Sequence, residues 1–180
     1  MKKILLLLCA TLGIILVDQA SKDALLYLIT GGVPLWGPAW EIVPVPYLMG
    51  HVTDFFNIVF TWNPGASFSI FRTWGEAAPL LIIIATGAII GFIGYYLFVR
   101  AASYERMGLT LIFGGALGNL IDRIRFGAVI DFLDFHIGGW HWPAFNVADI
   151  CICTGVALYI LGWLIARRRC IQAVKSKGGK

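Results

Sequence analysis

Charge is what this sequence has least of. Aspartate, glutamate, lysine and arginine make up 13% of its 180 residues, while 59% are hydrophobic and the mean hydropathy is +0.81. A soluble domain of this length is nearer to half apolar. The chain therefore reads as a membrane protein, long enough for about four spans joined by short loops. Other absences narrow the chemistry. There is no HExxH for a zinc peptidase and no GxSxG serine elbow. Ser67 and Ser69 have no histidine or lysine base in evidence, and no glycine loop follows a strand as a phosphate cradle requires. The four cysteines make no framework: Cys9 and Cys170 are isolated, and Cys151 and Cys153, two apart in an apolar run, point different ways on a helix. They read as buried thiols.

The net charge of +4 does not indicate nucleic acid. Ten of the fourteen basic residues (Lys2, Lys3, Arg100, Arg106, Arg167, Arg168, Arg169, Lys175, Lys177 and Lys180) flank apolar runs, as cytoplasmic anchors do. Four spans follow, at about 4–28, 77–99, 107–124 and 144–166, with a cytoplasmic tail over 167–180 and both termini inside. The first run, Ile4–Val17, resembles a signal peptide, but Asp18, Gln19, Ser21 and Lys22 follow it where a cleavage site would need small residues. It reads as a retained helix that continues to Leu28. Residues 31–75 carry five prolines and short strand-like runs such as FFNIVF. With Trp36, Trp40, Tyr47, Trp62 and Trp74, this segment reads as a small β-rich element at the outer membrane–water interface.

The polar residues that remain are concentrated. Between Gly114 and Ile150 lie Asp122, Asp131, Asp134 and Asp149, with Asn119, Asn146, Arg123, Arg125, His136 and His141. Polar groups in apolar surroundings need partners or a task. Asp18 and Lys22 are four apart, acid first, the favourable order for a helical pair. They read either as an ion pair that makes a polar helix end tolerable or as a contact for a substrate headgroup or backbone. Asn63, in the turn-forming run Asn63–Ser69, reads either as a plain turn or as a group presented to a site. Gly114 and Gly118 form a small-xxx-small pair widened by Gly115, which points to close helix packing. Asn119 and Arg123 share one helix face, and Asp122 reads as a neutraliser of an arginine.

Asp149 is the sixth residue of the fourth span as bounded here, roughly 7–8 Å below its outer end by helical rise. Asp131 follows the third span closely enough to return to that level. Two carboxylates in a partly dry site share a proton. The ionised one takes a proton from water and the protonated one supports a substrate carbonyl. Arg123, Asn119 and Asn146 are placed to orient such a pair. Spacing alone does not choose Asp131 over Asp122 or Asp134. It also leaves open structural polar glue, an assembly partner using the glycine face, and a small proton-coupled transporter relaying through Asp131, Asp149 and Arg123. His136 and His141 beside Asp134 make a poor metal site and read as interfacial histidines, as does His51.

Five blocks in order, VDQASK (17–22), NPGASFS (63–69), GGALGNLIDR (114–123), VIDF (129–132) and WPAFNVAD (142–149), give the chain a further identity. Over nearly its whole length it resembles the bacterial lipoprotein signal peptidases (signal peptidase II), intramembrane aspartyl proteases. The resemblance implies that Asp131 and Asp149 are the catalytic pair. It also implies that Asn119, Arg123, Asn146 and Ala148, with Gly115, line or support the site, and that Asp18, Lys22 and Asn63 are further polar positions of activity or architecture. The implied fold is a four-helix membrane protein with an outward β-cradle and a short periplasmic helix. The implied substrate is a prolipoprotein whose cysteine carries diacylglycerol, cut just before that cysteine at the outer face of the cytoplasmic membrane. The expected enzyme is a monomer in lipid, inhibited by globomycin-type peptides, and it needs neither metal nor organic cofactor. The chain departs from the family pattern at Pro64 and in a longer, proline-rich stretch from Leu35 to His51.

Overall fold

The computed structural model describes residues 2–31, 47–65 and 77–178. Helix α1 spans Lys2–Thr30. Helix α2 spans Ala77–Tyr95 and ends in a single π-helical turn, Tyr96–Arg100. Helix α3 spans Arg106–Phe126 and helix α4 spans Val147–Gly178. Strands β1 (Tyr47–Thr53), β2 (Phe56–Asn63), β3 (Val129–Ile137) and β4 (Trp140–His141) form one antiparallel sheet in the order β1-β2-β3-β4. The expected outer element lies only partly within these residues. Segments 32–46 and 66–76, with Trp36, Trp40, Ser67, Ser69 and Trp74, fall outside the described residues.

Among the described residues, three helices are long and apolar enough to cross a membrane: Lys2–Thr30, Pro79–Arg100 and Val147–Gln172. Their large side chains face outward, Leu6, Leu28, Phe92 and Val99 among them, as suits surfaces solvated by lipid. Helix α3 differs because it is the hub and packs against each of the other three. Its glycines make that possible. A Cβ at Gly114 would lie 3.0 Å from the Ile14 side chain of α1, and one at Gly108 would lie 2.6 Å from the Gly155 carbonyl of α4. One at Gly115 would run into the Ala148 carbonyl. The close packing expected of the glycine pair is therefore present, towards α1 from Gly114 and Gly118 and towards α4 from Gly115.

Two apolar clusters hold the ends. At the end that carries the sheet, Leu26 of α1, Phe60 and Trp62 of β2, Phe126 of α3 and Ile130 and Phe132 of β3 pack together. At the other end, Leu97, Ala101 and Leu109 join Leu7, Phe113 and Tyr159. Helix α3 stops at Gly127, whose left-handed backbone (φ 76°) lets its N–H bond the Arg123 carbonyl at 2.9 Å. Glycine adopts this conformation without a Cβ penalty, and the chain turns directly into β3.

Two expectations change here. The stretch 125–143, between the third and fourth expected spans, is more than a connection, because it supplies the sheet's third strand. Its alternation is hidden because β3 is buried along much of both faces. Helix α4 begins at Val147, three residues later than expected, which makes Asp149 its third residue. The backbone before it pairs with β3 instead, Phe132 and Leu133 both donating N–H to the Phe145 carbonyl at 3.0 and 2.9 Å. Pro143 fits such an extended approach.

Candidate active site

The bridge at Phe145 sets the next residue, Asn146, beside β3 and at the cap of α4. Asn146 and Asp149 form a reciprocal capping box. The Asp149 N–H donates to Asn146 Oδ1 at 3.0 Å, and the Asn146 N–H donates to Asp149 Oδ2 at 3.3 Å. The Asn146 amide nitrogen is then free to face β3, where it donates to Asp131 Oδ1 at 2.7 Å. One fully buried asparagine thus touches both carboxylates. Asp131 is 1% exposed, and its second oxygen accepts from Asn63 Nδ2 at 2.8 Å. Asp149 Oδ1 accepts from Asn119 Nδ2 at 2.8 Å.

Burial pushes the Asp131 carboxyl up to about 6, and the nearby Asp149 charge adds to this, against the hydrogen bonds from Asn63 and Asn146. A carboxyl poised there carries a proton for part of the time near neutrality, and the Asp149 carboxyl oxygens accept from two N–H groups, the Asn146 backbone and the Asn119 side chain. The arrangement is suited to general acid–base work on a water molecule.

Around the pair lies a buried ion network. The Lys22 ammonium bonds Asp18 Oδ2 and Asp122 Oδ2, both at 2.8 Å, and donates to Asn119 Oδ1 at 3.1 Å. All three charged side chains are fully buried. This favours the ion-pair reading of Asp18 and Lys22, since neither side chain is open to a headgroup. Asp18 Oδ1 also accepts the Ala148 N–H at 2.9 Å, an anion seated on the positive N-terminal end of α4. Gly118 must lack a Cβ because Asp18 fills the space. The ion pair that Asp122 makes by contact is with Lys22, while its charge reaches Arg123 through space. Asp122 also accepts from Gln19 Nε2 at 2.8 Å and from the Ile130 N–H at 3.2 Å, so it anchors the start of β3.

Asn63 satisfies both of its readings. Its Oδ1 accepts the Gly65 N–H at 2.8 Å, an Asx turn, while its amide reaches Asp131. Arg123 is not ion-paired with either carboxylate. It donates to the Asn119 carbonyl at 3.2 Å, and its Nε is buried without a hydrogen-bond partner. The role expected of it, keeping one aspartate ionised, would have to act through space and not through contact.

Asp134 is excluded from the pair by its own partners, Asn57 Nδ2 at 2.9 Å and His141 Nδ1 at 2.8 Å. Sequence reasoning missed this cluster, and it missed Gln19, which links Asp122 to Arg125. Gln19 lies within the quoted VDQASK block and was legible as polar, but its partners lie about a hundred residues away. Among the described residues no group of three or more histidine, cysteine or acidic side chains is arranged to hold a metal ion.

Apolar helices that bring two carboxylates together at a helix cap and a buried strand mark a membrane protein with a buried polar site. The family profile described as signal peptidase (SPase) II matches residues 10–165. The chain belongs to that family, and so is a peptidase. A lipoprotein signal peptidase of Syntrophotalea carbinolica is 39% identical over 158 residues, covering 87% of this chain and 89% of that protein. One of Oleidesulfovibrio alaskensis is 44% identical over 132 residues, covering 68% and 81%. Two structures of a bacterial membrane enzyme obtained by the in meso method share the fold, with TM-scores of 0.64 and 0.65 at 28% identity. They cover 88% of this chain and 87% and 92% of theirs. These matches give no support to the transporter reading.

Proposed function

We propose that this peptidase is an intramembrane aspartyl endopeptidase that removes the signal peptide from diacylglyceryl-modified prolipoproteins, cutting just before the lipidated cysteine. The observation that carries the reading is Asn146, which holds Asp131 and Asp149 together while burial holds one of them near its titration point. In the proposed reaction the ionised carboxylate takes a proton from water as the water attacks the scissile carbonyl. The protonated carboxyl hydrogen-bonds the carbonyl oxygen, and the proton is passed to the leaving amine as the tetrahedral intermediate collapses. Water is the nucleophile and the carboxylates move the protons, so the reaction requires no metal or organic cofactor.

Asn119 and Asn146 position the pair, and Asn63 supports Asp131. Asp18, Lys22, Gly115 and Ala148 hold α1, α3 and the cap of α4 in place, and Arg123 contributes positive potential. All four helices span the cytoplasmic (inner) membrane in this reading. Lys2–Lys3 and the basic stretch 167–180 lie on the cytoplasmic side, and the sheet lies outside with the expected short helix of the outer side. The site then sits near the outer leaflet, where two acyl chains retain the substrate in lipid. The proposed enzyme acts as a monomer and is open to globomycin-type peptides that occupy the aspartate pair.

The deciding experiment is cleavage of a purified prolipoprotein, with and without its diacylglyceryl group, by wild type and by Asp131→Asn, Asp149→Asn and Asp122→Asn. Cleavage confined to the lipidated form and lost in the first two variants while they remain folded is the expected result. Full activity in either of those two variants would overturn the assignment.

A further inference from the structure

A second polar cluster lies on the sheet away from the ion network. The His51 ring nitrogen Nδ1 lies 2.8 Å from Asn57 Oδ1, Asn57 Nδ2 donates to Asp134 Oδ2 at 2.9 Å, and His141 Nδ1 lies 2.8 Å from Asp134 Oδ1. The acceptors fix the protons. Both Asn57 Oδ1 and the Asp134 carboxylate can only accept here, so each imidazole presents an Nδ1–H to its partner. Burial alone would raise the Asp134 carboxyl, but hydrogen bonds from His141 and Asn57, with the electrostatic influence of the His141 and His136 rings, more than offset it and hold the group below the usual carboxylate range. The Asp134 carboxylate is therefore held in its charged form within this cluster.

These residues, with Thr61, wall a cavity of about 610 Å³ whose other side is the segment 142–144. Thr61 pairs across the sheet with Asp131, and opposed residues on paired strands lie about 5 Å apart. A smaller cavity of about 320 Å³ contains Asp149 with Ile150, Cys153 and Thr154, and so runs along the first turns of α4. Trp142, 57% exposed, borders both. One cavity thus leads from Asp149 along an apolar helix, and the other lies on the sheet beside the strand pairing of Thr61 and Asp131.

Resting on the peptidase reading above, we infer that the cavity beside Asp134 is the subsite for the substrate chain that follows the lipidated cysteine. The geometry further points to selection there of side chains that donate hydrogen bonds or carry positive charge over acidic ones. With the cysteine at the aspartate pair, an extended chain advances about 3.3 Å per residue. The second and third residues after the cleaved bond then reach the cavity. An ammonium or hydroxyl there meets the Asp134 carboxylate, whereas a glutamate meets like charge.

The test is kcat/KM for three diacylglyceryl-modified prolipoproteins that differ only in carrying Lys, Ser or Glu at both positions. Wild type is expected to prefer Lys to Glu by about tenfold, the scale of one charge-assisted hydrogen bond, with the difference in KM. Asp134→Asn and, independently, His141→Phe should bring that ratio towards one. Equal efficiency of wild type on all three substrates would overturn the subsite and leave the peptidase reading standing. A ratio retained in both variants would also overturn it. Failure of folded wild type to cut any of the three would remove the peptidase reading and this inference together.

Discussion

Replacing Asn63 with alanine isolates the electrostatics of the aspartate pair from the packing of the helices. Asn63 is exposed at the end of β2, and its Nδ2 donates to Asp131 Oδ2 at 2.8 Å. That bond favours the ionised carboxylate, so its loss must raise the Asp131 value above about 6. A hydrogen bond to a charged group is worth about 1.5–3 kcal/mol, and solvent access at Asn63 reduces this to about 1 kcal/mol. At 1.36 kcal/mol per unit, the shift is ~0.7 of a pH unit. In the shared-proton mechanism, activity is lost as pH rises and the pair gives up its remaining proton. The alkaline limb of kcat/KM should therefore move upward by that amount in Asn63→Ala, while the thermal midpoint in detergent falls only slightly. The limb belongs to the pair and not to one residue, but its direction is fixed. A limb that stays in place or moves to lower pH would refute this account of Asp131.

Other perturbations test other links. Asp131 is raised in the folded state from 3.8 to about 6, so its contribution to stability is full below the unfolded value and is lost as pH rises through about 6. At ~1.36 kcal/mol per unit this amounts to at most ~3 kcal/mol, and denaturation across pH 4–8 should show that slope in wild type and not in Asp131→Asn. Lys22→Met leaves the Asp18 and Asp122 carboxylates buried without their cation. It should cost about 3–5 kcal/mol, with partial recovery in the double variant Lys22→Met/Asp122→Asn, measured by thermal unfolding in one detergent. Gly115→Ala drives a methyl into the Ala148 carbonyl and the Ile152 side chain. It should destabilise by about 1–3 kcal/mol and lower kcat by displacing the α4 cap, whereas Gly87→Ala, with nothing within 4 Å, should be neutral.

The long apolar runs were readable because lipid solvation writes a simple rule, and composition alone separated the helices from the polar blocks. The glycines of α3 were readable too, since small residues at that spacing have few uses other than close approach. Strand β3 was less legible. Its residues are buried on both faces, so the period-two signal is lost. The cap of α4 was present in the sequence as Asn146-Val147-Ala148-Asp149, but a capping box reads as local structure and says nothing of Asp131. The choice among Asp122, Asp131 and Asp134 was closed to spacing because all three fall in one short stretch, 122–134, after the third span's glycines.

What the sequence determined by itself was the membrane setting, the basic flanks, the segregation of polar groups into a few short blocks and, through those blocks, the family. What only the tertiary structure decided was the pairing. Lys22 claims Asp122, His141 and Asn57 claim Asp134, and Asn146 joins Asp131 to Asp149. Each assignment depends on hydrogen bonds between groups from different helices and strands. A carboxylate's role is set by the donors and charges within a few ångströms, and those neighbours come from α1, β2, β4 and α4, whose positions no local pattern around the three aspartates records.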